Sequence, residues 1–132
     1  MPGTGEKKLR RLLASVRPEL DSAVYVFCSG IEGEAEGIPC ILRFREKEGV
    51  TVVTEQDTAE ALHLNYAYPC RHIILNVHSS LEAVGFLAAI TARLAQAGVS
   101  VNAVSAFYHD HLFVPVESAQ KVMDLLEEFG KE

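Results

Sequence analysis

The second half of the chain carries the pattern that most constrains the fold, a strand joined to a helix by a capping sequence. Residues 71–78 alternate apolar side chains between two faces, as in a strand with one buried side. Residues 79–82 read SSLE, which matches a capping box that satisfies free amides at a helix start. The apolar spacing then predicts a helix to about Ala97, ended by Gly98 in a left-handed conformation.

The rest of this half predicts two strands and a helix. Val99–Phe107 and His111–Val116 have strand composition, the turn between them is expected at Tyr108-His109-Asp110, and Ser118–Phe129 has helical spacing. The resulting order, β-α-β-β-α, lacks only the last strand of a ferredoxin-like βαββαβ motif, an antiparallel sheet with both helices on one face.

The first half has a related order. Its predicted elements are a helix over 6–16, strands over 23–29, 40–46 and 50–55, and a helix over 57–64. Gly30–Gly37 is expected to be a solvated loop, and residues 47–49 a hairpin turn in which Gly49 supplies a positive φ. Because both halves end in β-β-α, the chain is predicted to be α+β and ferredoxin-like. Two subdomains in tandem, 1–68 (degenerate) and 69–132, would share or exchange strands.

Charge and composition narrow the classes of function. The net charge is −6, divided equally between the halves, without the Lys/Arg cluster that nucleic acids and anionic membranes require. The sequence contains no apolar stretch long enough to cross a bilayer and no apolar signal segment at its start, so a cytoplasmic location is expected. The three cysteines form no CxxC pair, and neither a nucleophile motif nor a cofactor fingerprint is present. A non-enzymatic protein without a cofactor is therefore predicted.

The stretch from Ile73 to Asn102 resembles an ACT domain. In that family a hydrophobic strand and a polar loop precede an aliphatic helix with an early glycine, here Gly85. A glycine turn at Gly98 then leads to a strand carrying a small or amide residue. The likeness extends to the regulatory repeats of aspartate kinases and is closer to small stand-alone tandem-ACT proteins that contain VHSSLEAVG and YHDHLFVP. ACT loops commonly carry Asp and Pro before the glycine, whereas residues 80–84 read SLEAV. The resemblance implies a free amino acid as ligand.

Elementary chemistry supports a ligand at the start of this helix. A helix N-terminus exposes unpaired amides and a partial positive charge that favour a carboxylate. Gly85 lacks a Cβ, and Asn102 offers a donor and an acceptor to an amino or amide group. The predicted ligand-binding residues are His78, Ser79, Ser80, Leu81, Glu82, Val84, Gly85, Phe86, Asn102, His109 and His111. The alternative interpretation gives these residues structural roles only. The serines would cap the helix, Gly85 would allow helix packing, and Asn102 would be an exposed strand residue.

The His109-Asp110-His111 sequence admits three interpretations. It is a polar hairpin with Asp110 in the turn, a lining of the ligand cleft at an interface, or a metal or acid–base site joined by His72 or His78. The leading hypothesis is a regulatory module that binds an amino acid or related small metabolite and forms a homodimer or contacts a regulated protein. The alternatives are a small metal-dependent enzyme built on this histidine cluster and a ligand-free protein–protein adaptor.

Overall fold

A computed structural model of the chain describes residues 4–31, 34–77 and 84–131. Within these ranges the helices are α1 Thr4–Ser15, α2 Gln56–Ala61, α3 Phe86–Gln96 and α4 Ala119–Phe129. The strands are β1 Arg17–Ile31, β2 Leu42–Glu46, β3 Gly49–Glu55, β4 Tyr66–Asn76, β5 Asn102–Ser105 and β6 Asp110–Pro115. Short 3₁₀ turns occur at Glu34–Gly37 and Val116–Ser118. The order matches the sequence prediction for both halves, and the α+β ferredoxin-like class is confirmed.

The chain divides into two compact units. The terminal unit comprises Met1–Asp21 and His72–Glu132, and the central unit comprises Ser22–Arg71. Strands β1 and β4 contribute residues to both units, in line with the predicted sharing of strands. The subdomain boundary between residues 68 and 69 stays a prediction.

The terminal unit buries large aliphatic side chains between strands and helices. Its strands follow the order β1-β4-β6-β5, with β5 antiparallel to β6. The predicted alternation along β4 is confirmed, and the structure shows that the face carrying Ile73, Leu75 and Val77 is the one in the core. Their buried partners from the other elements are Val16, Phe86, Ile90, Leu94, Val99, Leu112, Val114, Ala119, Val122 and Leu126. Each large side chain in this set contributes about 1.5–3 kcal/mol when fully buried.

The central unit is built on a hairpin and contains a single short helix among its described residues. Its strands follow the order β2-β3-β1-β4, with antiparallel pairing of β3 to both β2 and β1. The predicted turn is confirmed, because Glu46 pairs with Gly49 and Gly49 has φ +133°. The buried residues of this core are small: Val26, Cys28, Val52 and Ala59.

Several element boundaries differ from the sequence prediction. The helix expected to start near residue 80 begins at Phe86, because Gly85 has φ +87°, which a right-handed helix does not accommodate. The capping-box residues 79–82 lie outside the described residues. β1 runs over 15 residues, Arg17–Ile31, whereas the sequence predicted a strand only over 23–29. Strand propensity alone did not predict the full length of β1, because strand length depends on pairing partners.

Candidate functional site

Gly85 forms the turn that leads into α3. It occupies the N-cap position with φ +87° and ψ −12°, a left-handed conformation that strains residues with a Cβ. Its carbonyl accepts the first helical hydrogen bond, from the amide of Ala89 at 2.9 Å. Val84 is 89% exposed, whereas Phe86 is 2% exposed and anchors the helix in the core. The helix start is therefore fixed on one side and open to solvent at Val84.

A leucine of α1 lies beside this glycine. A Cβ built on Gly85 would stand 3.4 Å from Cδ2 of Leu9, an ordinary van der Waals distance. The left-handed backbone is thus the feature that requires glycine here, because the space beside its Cα would admit a methyl group. Leu9 provides an apolar wall next to the start of α3.

The other predicted ligand-binding residues do not converge on Gly85 in the described structure. His78, Ser79, Ser80, Leu81 and Glu82 lie outside the described residues. Asn102 is exposed and begins β5, opposite Phe113. Along β6, Leu112 and Val114 face the helix-covered core, so alternation directs His111 to the opposite face of the sheet. His111 and the glycine turn therefore belong to different surfaces of the terminal unit.

His111 takes part in a partly buried polar cluster that we call the histidine relay, formed by Asp21, His72 and His111. Nε2 of His72 lies 2.8 Å from Nδ1 of His111, and Nδ1 of His72 lies 3.6 Å from Oδ2 of Asp21. The imidazole centroids are 5.0 Å apart with 22° between the planes, so the rings meet edge to edge. The ring of Phe113 packs parallel to His72 at 5.1 Å. Residues far apart in sequence thus meet in one polar cluster, in which His72 and His111 are hydrogen-bonded and the Asp21 carboxylate faces His72.

Burial keeps the relay histidines neutral. It lowers the pKa of His72, an effect that Asp21 and Glu19 oppose. Burial also lowers the pKa of His111, with further lowering by His72 and His109 and an opposing contribution from Asp110. A neutral ring has one N–H, and the carboxylate of Asp21 favours placing it on Nδ1 of His72. Nε2 of His72 then accepts a hydrogen bond from the N–H at Nδ1 of His111, which leaves Nε2 of His111 as an acceptor.

The expectation that Asp110 lies in the hairpin turn is wrong. Asp110 is the first residue of β6, pairs with Ser105 and accepts a hydrogen bond from the Ser105 hydroxyl. The turn is formed by residues 106–109, closed by a 3.0 Å bond from the Ala106 amide to the His109 carbonyl. The hydrogen bond from the Ser105 hydroxyl on the neighbouring strand holds the carboxylate against the β5–β6 pair, and Asp110 is 8% exposed.

The strand position of Asp110 also bears on the metal hypothesis. Asp110 and His111 are adjacent strand residues and point to opposite faces. Across 4–31, 34–77 and 84–131, no group of three His, Cys, Asp or Glu side chains is arranged to hold a metal ion. Of the two further histidines suggested for a metal site, only His72 is among the described residues, and its ring is hydrogen-bonded to that of His111.

Two residues of the relay were missed from the sequence as site residues. Asp21 lies in a strand-like segment with no motif around it, and His72 was considered only as a remote partner of the His109 cluster. A 39-residue separation between His72 and His111 leaves no local signal. Only the pairing of β4 with β6 brings them together.

Comparison with known families places both halves of the chain. An ACT domain profile matches residues 4–71, and a second ACT domain profile matches residues 68–128. The chain belongs to the ACT domain family. This membership confirms the tandem resemblance read from residues 73–102, and it also covers the first half, where the sequence pattern was loose.

Solved structures have a similar fold. A Vibrio cholerae protein of unknown function, described as a possible transport protein, is 41% identical over 96% of this chain and 99% of its own, with a TM-score of 0.87. The regulatory subunit of aspartate kinase from Thermus flavus is 12% identical, covers 86% of this chain and 95% of its own, and has a TM-score of 0.61. E. coli aspartokinase III in complex with aspartate and ADP is 13% identical over 89% of this chain and 33% of its own, with a TM-score of 0.62.

Two further comparisons complete the description. No curated protein matches the sequence. In the part of the chain that the structure describes, no helix combines the length and hydropathy needed to traverse a bilayer.

Proposed function

We propose that this ACT protein is a regulatory module that binds a small metabolite carrying a carboxylate, with a free amino acid as the leading class. Membership of the ACT family supports a ligand-binding regulatory role. The observation that carries the choice of site is the left-handed Gly85 turn, which opens α3 beside the exposed Val84. The predicted residues of the 78–86 loop would complete the site.

The chemistry of this helix start suits a carboxylate. The first amides of α3 have no partner within the helix and carry the positive end of its dipole. A ligand carboxylate would gain charge-assisted hydrogen bonds there, each stronger than a neutral one. Leu9 would form an apolar wall, because its methyl group lies against Gly85. Ser79, Ser80 and Glu82 are proposed to meet the polar groups of the ligand.

The direct test is thermal-shift screening and calorimetry with the twenty amino acids. A ligand present at 100 times its Kd should stabilise the protein by about 2.7 kcal/mol. Gly85→Ala should weaken that ligand at least about tenfold, because a Cβ at a left-handed position displaces the amides that open α3. Unchanged melting with all twenty amino acids, together with flat calorimetric titrations, would contradict the proposal.

Gly98→Ala provides a matched control. Gly98 also has a left-handed backbone, at φ +77°, and a Cβ there meets nothing within 4 Å. Both variants should lose about 1 kcal/mol of stability from backbone strain. Only Gly85→Ala should lose the ligand response, so equal losses of affinity would remove Gly85 from the site.

A partner-binding role has its own supporting observation. Phe107 and Tyr108 in the β5–β6 turn are 73% and 77% exposed and contact each other with centroids 5.0 Å apart. Exposed aromatic pairs are typical of protein interfaces. We propose a homodimer or a regulated protein as the partner of this surface. Light scattering over a range of concentrations, compared with Phe107→Ser, should show a mass that depends on this aromatic pair.

A further inference from the structure

A cleft in the central unit offers a second place for a ligand. It encloses about 300 Å³ and is lined by Tyr25, Pro39, Cys40, Ile41, Thr54, Glu55 and Thr58. We infer that this cleft binds a small organic amine that has a short apolar body and no carboxylate. The inference does not depend on the proposed amino acid site at α3, because every lining residue belongs to the central unit.

Hydrogen bonds hold one wall of the cleft in place. Thr54 is 2% exposed, and its hydroxyl donates to the carbonyl of Pro39 at 2.6 Å. The amide of Ile41 donates to the carbonyl of Val53 at 2.9 Å, which ties the same segment to β3. Binding therefore costs little ordering of the protein, as in most small-molecule sites.

The charge of the cleft comes from Glu55. This residue precedes α2 in the N-cap position, yet its side chain makes no capping hydrogen bond. Its carboxylate has no hydrogen bond or ion pair with any residue that the structure describes, and Asp57 in the first turn of α2 adds a second negative charge nearby. Glu55 is exposed and lines the cleft, and an ammonium group is the complement of such an unpaired carboxylate.

The rest of the lining defines the body of the ligand. Tyr25, Pro39 and Ile41 provide apolar surface, and the hydroxyl of Thr58 adds a hydrogen-bonding group. A ligand that also carries a carboxylate would meet Glu55 with like charge, which disfavours binding. The cleft should thus prefer a simple amine to the corresponding amino acid, the opposite of the preference proposed for the α3 site.

Cys40 allows occupancy of the cleft to be measured. It is half-buried, whereas Cys28 and Cys70 are fully buried. Burial raises the pKa of the Cys28 thiol and raises that of Cys70 to about 11. Because thiolates are the reactive species, Cys40 should react first with a thiol reagent, and a molecule in the cleft should shield it.

The experiment measures the rate of Cys40 alkylation by iodoacetamide with three probes of similar shape. Phenethylamine, 2-phenylethanol and 3-phenylpropionate carry a positive, a neutral and a negative group. We expect saturable protection by phenethylamine, protection by 2-phenylethanol that needs about tenfold more probe, and none by 3-phenylpropionate. Cys40→Ser should abolish the signal. No protection by phenethylamine, or equal protection by all three probes, would overturn the inference.

Matched glutamate variants test the assigned charge. Glu55→Gln should remove the advantage of phenethylamine over 2-phenylethanol, whereas Glu48→Gln, in the exposed hairpin turn, should preserve it. Loss of the advantage in both variants would mean that overall charge, and not Glu55, attracts the amine. Gly85→Ala should leave protection unchanged, so that failure here and failure of the α3 proposal remain separate results.

Discussion

The terminal and central units stabilise related β-β-α endings in different ways. In the terminal unit, α3 and α4 cover the sheet with large aliphatic side chains such as Ile90, Leu94 and Leu126. Among its described residues the central unit has no long helix after its first strand, and its buried core cluster consists of valine, cysteine and alanine. There, side chains bond to backbone carbonyls instead. In the central unit, hydrogen bonds from side chains to backbone carbonyls thus hold loop segments in place, including Pro39, which lines the cleft.

Arg43 illustrates this second kind of stabilisation. Its guanidinium donates to the carbonyls of Ala35 and Ile38 at 2.9 and 3.0 Å and so holds the 34–38 segment against β2. The terminal unit fastens its helices differently, since Lys121 donates to the Ala97 carbonyl at the end of α3. In the central unit these hydrogen bonds take the place of apolar packing, and in the terminal unit they add to it.

The largest effect expected from this contrast is in core truncation. Leu94→Ala, at a fully buried position in the terminal unit, should cost about 3 kcal/mol of unfolding free energy because it leaves a cavity. Leu64→Ala, at a half-buried position of the central unit, should cost about 1 kcal/mol. Urea denaturation of both variants measures the difference. Equal costs would mean that the two cores are not differently packed.

A smaller effect is expected from the polar bonds of the central unit. Arg43→Gln should cost about 1.5 kcal/mol, because the part-buried bond to the Ala35 carbonyl and the exposed bond to the Ile38 carbonyl both lose a charged donor. Arg45→Gln is the matched control, since Arg45 is exposed on the same strand. The same denaturation measurement applies. A cost for Arg45→Gln as large as that for Arg43→Gln would contradict the role given to the Arg43 bonds.

The smallest effect concerns the pH dependence of the terminal unit. The folded protein lowers the pKa of both His72 and His111, so below about pH 6.5 the unfolded chain binds protons more readily. Stability should therefore be complete above that pH and decline as the pH falls further. His72→Gln cannot titrate and should reduce this decline.

Denaturation at about pH 8 and about pH 5.5 tests the relay, with each protein serving as its own reference. The wild type should lose more stability between the two conditions than His72→Gln does. An identical loss in both proteins would show that the relay does not contribute to acid sensitivity. A loss that is larger in His72→Gln would reverse the assigned sign.

Local sequence patterns predicted the strands, the helices and much of the core. The period-2 pattern of 71–78 placed Ile73, Leu75 and Val77 on one face of the strand, and the structure shows that this face lies in the core. The start of α3 was predicted too early. A capping box and apolar spacing indicate a helix, but they do not show that Gly85 has a left-handed backbone, which places the first helical residue at Phe86. Of the candidate site, Gly85, Asn102, His109 and His111 could be named from the sequence, but which of them share a surface could not.

The sequence by itself determined the order of elements, the tandem ACT character and the alternation of faces along β4, because these depend on periodicity, capping and turn residues close together in the chain. Tertiary structure alone decided that Asp21, His72 and His111 lie together, that Asp110 enters a strand and that Glu55 lines a cleft. The physical reason is that strand pairing sets these distances, and pairing joins residues whose separation along the chain leaves no local trace.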